Sequence, residues 1–217
     1  MRYLLLCIVY LVGCQKTEQS RPNIVFFLVD DHAYKAVSAY DDSLLSTPNI
    51  DRIAQEGMRF DDACVTNAIC APSRTVILTG AHSHINGVID NATTLDPTQP
   101  QFPKLMQESG YQTALIGKWH LKSEPKGFDY YDILIGQGQY YSPEFKKSIN
   151  GSEPVKTIHD GYCTDLTMDF TLDWLNEERE DDKPFLLLCH QKAPHRTWMP
   201  GPNEMEESKK VDAIIIT

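Results

Sequence analysis

Three continuous apolar runs stand out along the chain, at residues 23–29, 111–117 and 185–189. Each run predicts a β-strand that is buried on both faces, as in a parallel sheet covered by helices on its two sides. Ligand sites of open α/β sheets collect at the carboxyl ends of the strands. The residues that follow these three runs are therefore the first candidates for function.

Helical patterns separate the strands. Thr47 and Pro48 predict the start of a helix, and Gly57 predicts its end. Further helices are predicted at residues 73–78, 102–109 and 162–180, and a short strand is predicted at residues 58–60. This alternation predicts an α/β fold, with a mostly parallel central sheet flanked by helices.

The first residues have the pattern of an export signal. The apolar run at residues 3–12 is shorter than the roughly 20 residues that a membrane-spanning helix needs. Leu11-Val12-Gly13-Cys14 resembles a bacterial lipobox, which predicts a signal peptide at residues 1–13, a lipidated Cys14 and a short tether, together residues 14–22. A plain secretory signal with an incidental cysteine is the alternative. The lipobox interpretation predicts an exported bacterial lipoprotein, periplasmic or in the outer membrane, that is attached to the membrane by its lipid anchor only.

Charge and cysteine content narrow the possible partners. The chain has 30 acidic and 20 basic residues and a formal net charge of −10, which argues against a nucleic-acid partner because such binding needs a basic face. Of the six cysteines, one leaves with the signal and one is the predicted anchor. The four others are scattered along the chain, at Cys64, Cys70, Cys163 and Cys189, so we expect no disulfide framework.

Polar segments whose side chains could bind ligands or take part in catalysis follow the three apolar runs. Asp30-Asp31-His32 follows the first, Gly117-Lys118-Trp119-His120 ends the second, and Ala193-Pro194-His195-Arg196 follows the third. Two adjacent carboxylates offer the hard oxygen ligands that Ca²⁺ or Mg²⁺ prefers. An acidic pair after a strand is also typical of a solvated turn or a helix cap, and the other two segments are also compatible with ordinary polar loops.

The segment Cys70-Ala71-Pro72-Ser73-Arg74 has the C-x-P-x-R pattern that is the signature of the sulfatase family. Taken alone, Cys70 is also compatible with a buried inert thiol. Other segments stand in the order and approximate spacing of the sulfatase N-terminal domain: residues 21–32, 47–51, 79–80, 110–120 and 193–195. Over roughly residues 21–200 the chain therefore resembles that domain. Residues 123–140 are similar to the corresponding region of bacterial carbohydrate sulfatases of the N-acetylglucosamine-6-sulfatase type.

The resemblance implies a sulfuric ester hydrolase with an alkaline-phosphatase/sulfatase-like fold that removes sulfate from a sulfated carbohydrate of the N-acetylglucosamine 6-sulfate type. It implies that a formylglycine-generating maturase oxidises Cys70 to formylglycine, whose hydrate attacks sulfur. Asp30, Asp31 and the modified Cys70 would bind Ca²⁺, with Mg²⁺ as an alternative. Residues 23–200 would then form the N-terminal catalytic domain.

The resemblance also assigns roles to the basic side chains. Arg74 would stabilise the formylglycine hydrate, and Lys118 and His195 would hold the sulfate oxygens. His120 would act as base on the hydrate, and a histidine, of which His195 is the nearest match, would protonate the leaving oxygen. If residues 73–78 are helical, Cys70 lies just ahead of the positive end of that helix, which favours an anion.

Aromatic side chains in residues 130–141 suggest a sugar-binding face. Tyr130, Tyr140 and Tyr141 have flat rings that suit a sugar, and packing of this loop on its own core is the alternative.

Two departures from the family leave other functions open. Sulfatases are longer, and a later acidic pair and a second lysine complete their site, whereas residues 201–217 form a divergent tail. We therefore expect an incomplete catalytic domain with weak metal binding and poor turnover. The alternatives are a non-catalytic sulfatase remnant, a glycan-binding lipoprotein, or a phosphonate or phosphate monoester hydrolase of the same superfamily.

Overall fold

The computed structural model describes residues 21–208. The predicted signal peptide at residues 1–13, Cys14 and most of the predicted tether lie outside the described residues, as do the last nine residues of the chain. Within the described part, six strands form one sheet: β1 (Ile24–Val29), β2 (Gln112–Lys118), β3 (Tyr130–Leu134), β4 (Glu144–Ile149), β5 (Val155–Ile158) and β6 (Phe185–Gln191). Its helices are α1 (Pro48–Glu56), α2 (Cys70–Thr79), α3 (Ser83–Asn86), α4 (Phe102–Glu108), α5 (Cys163–Asp173) and α6 (Pro202–Ser208), with a 3₁₀ turn at Tyr34–Ala36.

The sheet has the strand order β1-β6-β2-β3-β4-β5. The first four strands in this order run parallel, whereas β4 is antiparallel to both of its neighbours, β3 and β5, so the prediction of a mostly parallel sheet in an α/β fold is confirmed. In the register, Val29 pairs with Gln191 and Gly117 pairs with His190. The carboxyl ends of the three strands predicted from sequence therefore lie side by side.

Most of the predicted elements are present, and three expectations need correction. Residues 58–60 form no strand. The helix predicted at residues 162–180 is α5 followed by a π-helical segment, Trp174–Glu178. The helix predicted at residues 73–78 begins three residues earlier, at Cys70.

The prediction that the first strand is buried on both faces is wrong. In β1 half-buried and exposed side chains alternate, and Val25, Phe27 and Val29 are 45%, 51% and 37% exposed. Within residues 21–208, β1 pairs with β6 alone and packs only one of its faces, through Ile24 and Phe26, against the core.

The two central strands carry the core. All residues of β6 are buried, as are all those of β2 except Gln112, and apolar clusters pack on their two faces. At Gly117 a Cβ atom would lie 2.0 Å from the carbonyl oxygen of His190, and the backbone has a φ of +98°. Only glycine permits this approach of β2 to β6, and it fixes the position of the next residue, Lys118.

No helix within residues 21–208 is long and apolar enough to cross a membrane.

Asp132 on β3 gives the fold a pH dependence that can be measured. Its side chain is 4% exposed and its Oδ1 has no hydrogen-bond partner in the described part of the chain. Burial raises the pKa of Asp132 from 3.8 to about 6, although Lys147 acts in the opposite direction. The folded state therefore favours the protonated acid, whose stabilising contribution is full below about pH 4 and is lost as the pH rises through 6.

We expect Asp132→Asn to raise the free energy of unfolding by about 1–3 kcal/mol at pH 7, because the neutral amide removes the cost of a buried charge. At pH 4 the gain should largely disappear. Urea denaturation at both pH values measures the difference, with Asp169→Asn on the exposed side of α5 as control. An equal gain at both pH values would show that ionisation of Asp132 is not the cause.

Candidate active site

Cys70 is the first residue of α2, and this corrects the expectation that it lies ahead of the helix. The helix starts early for two reasons. Ile69 has the extended backbone of an N-cap residue, and the side-chain Oδ1 of Asn91 accepts a hydrogen bond at 2.9 Å from the backbone amide of Ala71, which has no partner within the helix. Cys70 still lies in the first turn, where the positive end of the helix dipole favours negative charge.

Asp30, directly after β1, lies at the centre of a buried charge cluster. It is 6% exposed, and its Oδ2 accepts a hydrogen bond from Nζ of Lys118 and lies 3.5 Å from Nη2 of Arg74. Burial alone would raise the pKa of Asp30, but the Lys118 hydrogen bond and the charges of Arg74 and Lys118 outweigh burial and hold it below its usual value. Asp30 is therefore an ionised carboxylate between two cations.

Arg74 follows Cys70 by one helical turn and is 4% exposed. Its Nη1 donates to the carbonyl oxygen of Lys118 at 2.7 Å and lies 3.2 Å from Nδ1 of His190. Burial, with repulsion from Arg74, lowers the pKa of His190 to about 3, so this imidazole is neutral and adds no charge to the cluster. His190 was not predicted as a site residue, although it directly follows the apolar run at residues 185–189, because it belongs to none of the motifs.

Lys118, the last residue of β2, connects the charge cluster to Cys70. Its ammonium lies 4.0 Å from Sγ of Cys70 and donates to Oε1 of Gln137 at 2.5 Å. Gln137 lies in the loop between β3 and β4 and was not predicted either. The side chain of Lys118 is fully buried, so Asp30 and Gln137 take the place of water around its charge.

The thiol of Cys70 is half-buried and lies 3.5 Å from Oδ1 of Asp30. Burial, and then the negative charge and hydrogen bond of Asp30, raise its pKa, although Lys118 acts in the opposite direction. Unmodified Cys70 is therefore a protonated thiol at neutral pH and a poor nucleophile. The other described cysteines, Cys64, Cys163 and Cys189, are also free thiols.

His195 reaches the cluster from the loop after β6. It is 8% exposed, and its Nε2 lies 3.6 Å from Oδ2 of Asp31, whose side chain is 56% exposed. Because the carbonyl oxygen of Arg196 can only accept, Nδ1 of His195 carries the proton in their 2.5 Å contact. The hydroxyl of Tyr140 donates to the carbonyl oxygen of His195 and holds this loop in place.

His120 is half-buried beside this cluster rather than in direct contact with it. Its Nδ1 has no hydrogen-bond partner within residues 21–208, and its backbone is left-handed, with a φ of 55°. Burial, followed by the charges of Lys118 and Arg74, lowers its pKa to about 4. His120 is therefore a neutral imidazole, able to accept a proton, at all but acidic pH.

The donor atoms fit a divalent cation. Asp30, Cys70 and His195 each offer a ligand atom within 4.8 Å of the others, and the predicted ligand Asp31 lies beside His195. Asp31 follows β1 with a φ of 57°, a conformation that few non-glycine residues adopt. With an oxygen in place of sulfur at residue 70, Asp30 and residue 70 would offer two hard oxygen donors beside the imidazole nitrogen of His195.

The three aromatic candidates divide between the core and the site. Tyr130 is 5% exposed and packs against Trp174 in the core, so its proposed role in sugar binding is wrong. Tyr140 is also buried but lies under Lys192, next to His195, and Tyr141 is 38% exposed.

Comparisons with known proteins agree with the fold and the motifs. The sulfatase family model matches residues 22–213. The N-acetylglucosamine-6-O-sulfatase of Bacteroides thetaiotaomicron is 50% identical over 194 residues, which cover 88% of this chain and 34% of that protein. An ulvan-active sulfatase of Formosa agariphila is 26% identical over 212 residues, 93% of this chain and 41% of that protein.

A solved structure in complex with its substrate, D-glucosamine-2-N,6-O-disulfate, matches with a TM-score of 0.82 and 48% identity. The match covers 88% of this chain and 38% of the solved one. The chain thus spans between about a third and two fifths of the length of these relatives.

Proposed function

Since the chain belongs to the sulfatase family, we propose that it hydrolyses sulfate esters of sugars, with Cys70 as the precursor of the nucleophile. The observation that carries this proposal is the position of Cys70 in the first turn of α2, within 4.0 Å of both Asp30 and Lys118. A sulfate ester is an anion, so its hydrolysis needs positive charge beside the nucleophile, which Lys118 and Arg74 supply here.

We propose that a maturase converts Cys70 to formylglycine, because the protonated thiol is a poor nucleophile and the C-x-P-x-R pattern is present. The modified residue supplies an oxygen nucleophile in place of sulfur. Arg74, one turn further along α2, is held by the carbonyl oxygen of Lys118 and is well placed to stabilise negative charge at residue 70.

We further propose that Asp30, Asp31 and the modified residue 70 hold a divalent cation; oxygen donors suit both Ca²⁺, which the family resemblance implies, and Mg²⁺. When bound, the cation supplies positive charge that promotes deprotonation of the oxygen nucleophile at residue 70 and neutralises sulfate oxygens.

The remaining side chains divide the work of binding sulfate and moving protons. We propose that Lys118 and His195 hold sulfate oxygens, since both lie next to Cys70. His120 is a neutral base beside the cluster and can take a proton from the nucleophile. Because Nδ1 of His195 is bonded to the carbonyl oxygen of Arg196, Nε2 is the nitrogen that faces the cluster, and an imidazolium at this position would donate its Nε2 proton to the leaving oxygen.

The proposed substrate class is a glucosamine-type sugar with a 6-sulfate. It is supported by the relative that is 50% identical and named an N-acetylglucosamine-6-O-sulfatase, and by the matching complex with D-glucosamine-2-N,6-O-disulfate. The proposed location is the bacterial surface or periplasm, and palmitate labelling that is lost in Cys14→Ser would test the anchor.

The protein co-expressed with a maturase should release sulfate from N-acetylglucosamine 6-sulfate faster than it cleaves aryl phosphate or aryl phosphonate esters. Ion chromatography of released sulfate, with and without a chelator, measures the activity and its metal dependence. Faster cleavage of the phosphonate would favour the related monoester hydrolases. Binding of the sugar without sulfate release would favour a non-catalytic remnant or a glycan-binding protein.

A further inference from the structure

Lys192, one residue after β6, is a buried cation without an anionic partner. It is 4% exposed, and no carboxylate of residues 21–208 lies within 4.0 Å of its ammonium. Its ammonium lies 4.7 Å from the centre of the Tyr140 ring. A cation–π contact offsets only part of the cost of burying a charge, so this position favours a negatively charged ligand.

The surroundings of Lys192 form a cavity of about 590 Å³ beside the candidate active site. Its lining includes Lys192, Arg196, His195, Gln137 and Tyr141, and it contains no aspartate or glutamate. In a chain with a formal net charge of −10, this is a local cationic surface. The volume is within the ordinary range for small-molecule sites.

The cavity adjoins the sulfate site but is separate from it. Gln137 accepts a hydrogen bond from Lys118, and His195 lies beside Cys70, so these two side chains belong to both places. Cys70 and Lys118 themselves do not line the cavity. A sugar whose sulfate lies at Cys70 can therefore reach the cavity of Lys192 past His195.

We propose that this cavity holds the sugar and that Lys192 pairs with a second sulfate group on it, which makes disulfated sugars the preferred substrates. The inference rests on the proposed function, because it takes the position of the reacting sulfate from Cys70 and Lys118. Arg196, exposed at the rim, adds a second positive charge, and Tyr141 offers a partly exposed ring to the sugar. Lys192 acts here as a specificity-determining residue.

Lys192→Gln tests the proposal through a ratio of two substrates. We expect the parent protein to have a higher kcat/KM for glucosamine 2-N,6-O-disulfate or glucosamine 3-O,6-O-disulfate than for N-acetylglucosamine 6-sulfate. In Lys192→Gln this ratio should fall about tenfold, because a charge-assisted hydrogen bond is lost only with the disulfated sugar. Lys156→Gln on the exposed strand β5 is the matched control. A ratio that does not change in Lys192→Gln, for either disulfated sugar, would overturn the proposal.

A binding measurement separates this inference from the proposed function. Calorimetry on Cys70→Ala needs no turnover and compares the affinities of the same three sugars with and without Lys192→Gln. A preference for a disulfated sugar that Lys192→Gln removes would support the second sulfate site even if the parent protein hydrolyses none of them. Equal affinities for all three sugars in Cys70→Ala would contradict it, whatever the activity of the parent protein.

Discussion

Cys70→Ala should abolish sulfate release, with a fall in rate of at least about 10⁴-fold, because removal of the reacting group leaves only binding and charge stabilisation. Cys70→Ser should also be inactive in steady-state turnover. The resemblance implies that the formylglycine hydrate needs its second hydroxyl to expel sulfate, and serine has only one. Sulfate release over several turnovers measures both variants.

The same prediction has a readout that does not depend on activity. If a maturase acts on Cys70, peptide mass spectrometry should show a loss of about 18 Da relative to the thiol, as expected for oxidation of the thiol to an aldehyde. Cys64→Ala is the matched control, since Cys64 is an exposed free thiol outside the C-x-P-x-R pattern. A fully unmodified Cys70 in an active preparation would contradict the proposed nucleophile.

The fold could be predicted where a local pattern decides the structure. The apolar runs that became β1, β2 and β6 are continuous, and Pro48 and Gly57 mark the limits of α1. The strands β3, β4 and β5 were not predicted, because their patterns are interrupted by polar residues such as Asp132 and Lys147. Pairing with neighbouring strands, which no local pattern encodes, makes these segments strands.

The residues of the candidate site also divide into those that a local pattern identifies and those that only the tertiary structure brings together. Asp30, Cys70 and Lys118 were found because they stand at strand ends or in a short motif. Gln137 and His190 were not, since they join the cluster only through the strand order that places β6 beside β2 and β2 beside β3. Contacts of this kind, between residues far apart in the chain, are a property of the topology.

Lys118→Met should both destabilise the fold and impair catalysis. The substitution keeps the buried hydrocarbon stem but removes the ammonium that Asp30 and Gln137 bind. Breaking a buried ion pair costs about 3–5 kcal/mol, and Arg74 remains 3.5 Å from Asp30, so we expect a loss near the lower limit, about 3 kcal/mol. Loss of one charge beside the reacting sulfate should lower kcat/KM by about 10²–10³-fold.

The two effects of Lys118→Met can be separated, because the catalytic loss should persist at a temperature where the variant is fully folded. Urea denaturation gives the free energy of unfolding, and initial rates on N-acetylglucosamine 6-sulfate give kcat/KM. Lys126→Met, an exposed lysine in the loop between β2 and β3, is the matched control and should change neither quantity by a measurable amount. If the folded Lys118→Met protein kept the parent kcat/KM, Lys118 would be a structural counter-ion of Asp30 alone, and the sulfate would have to be held by other groups.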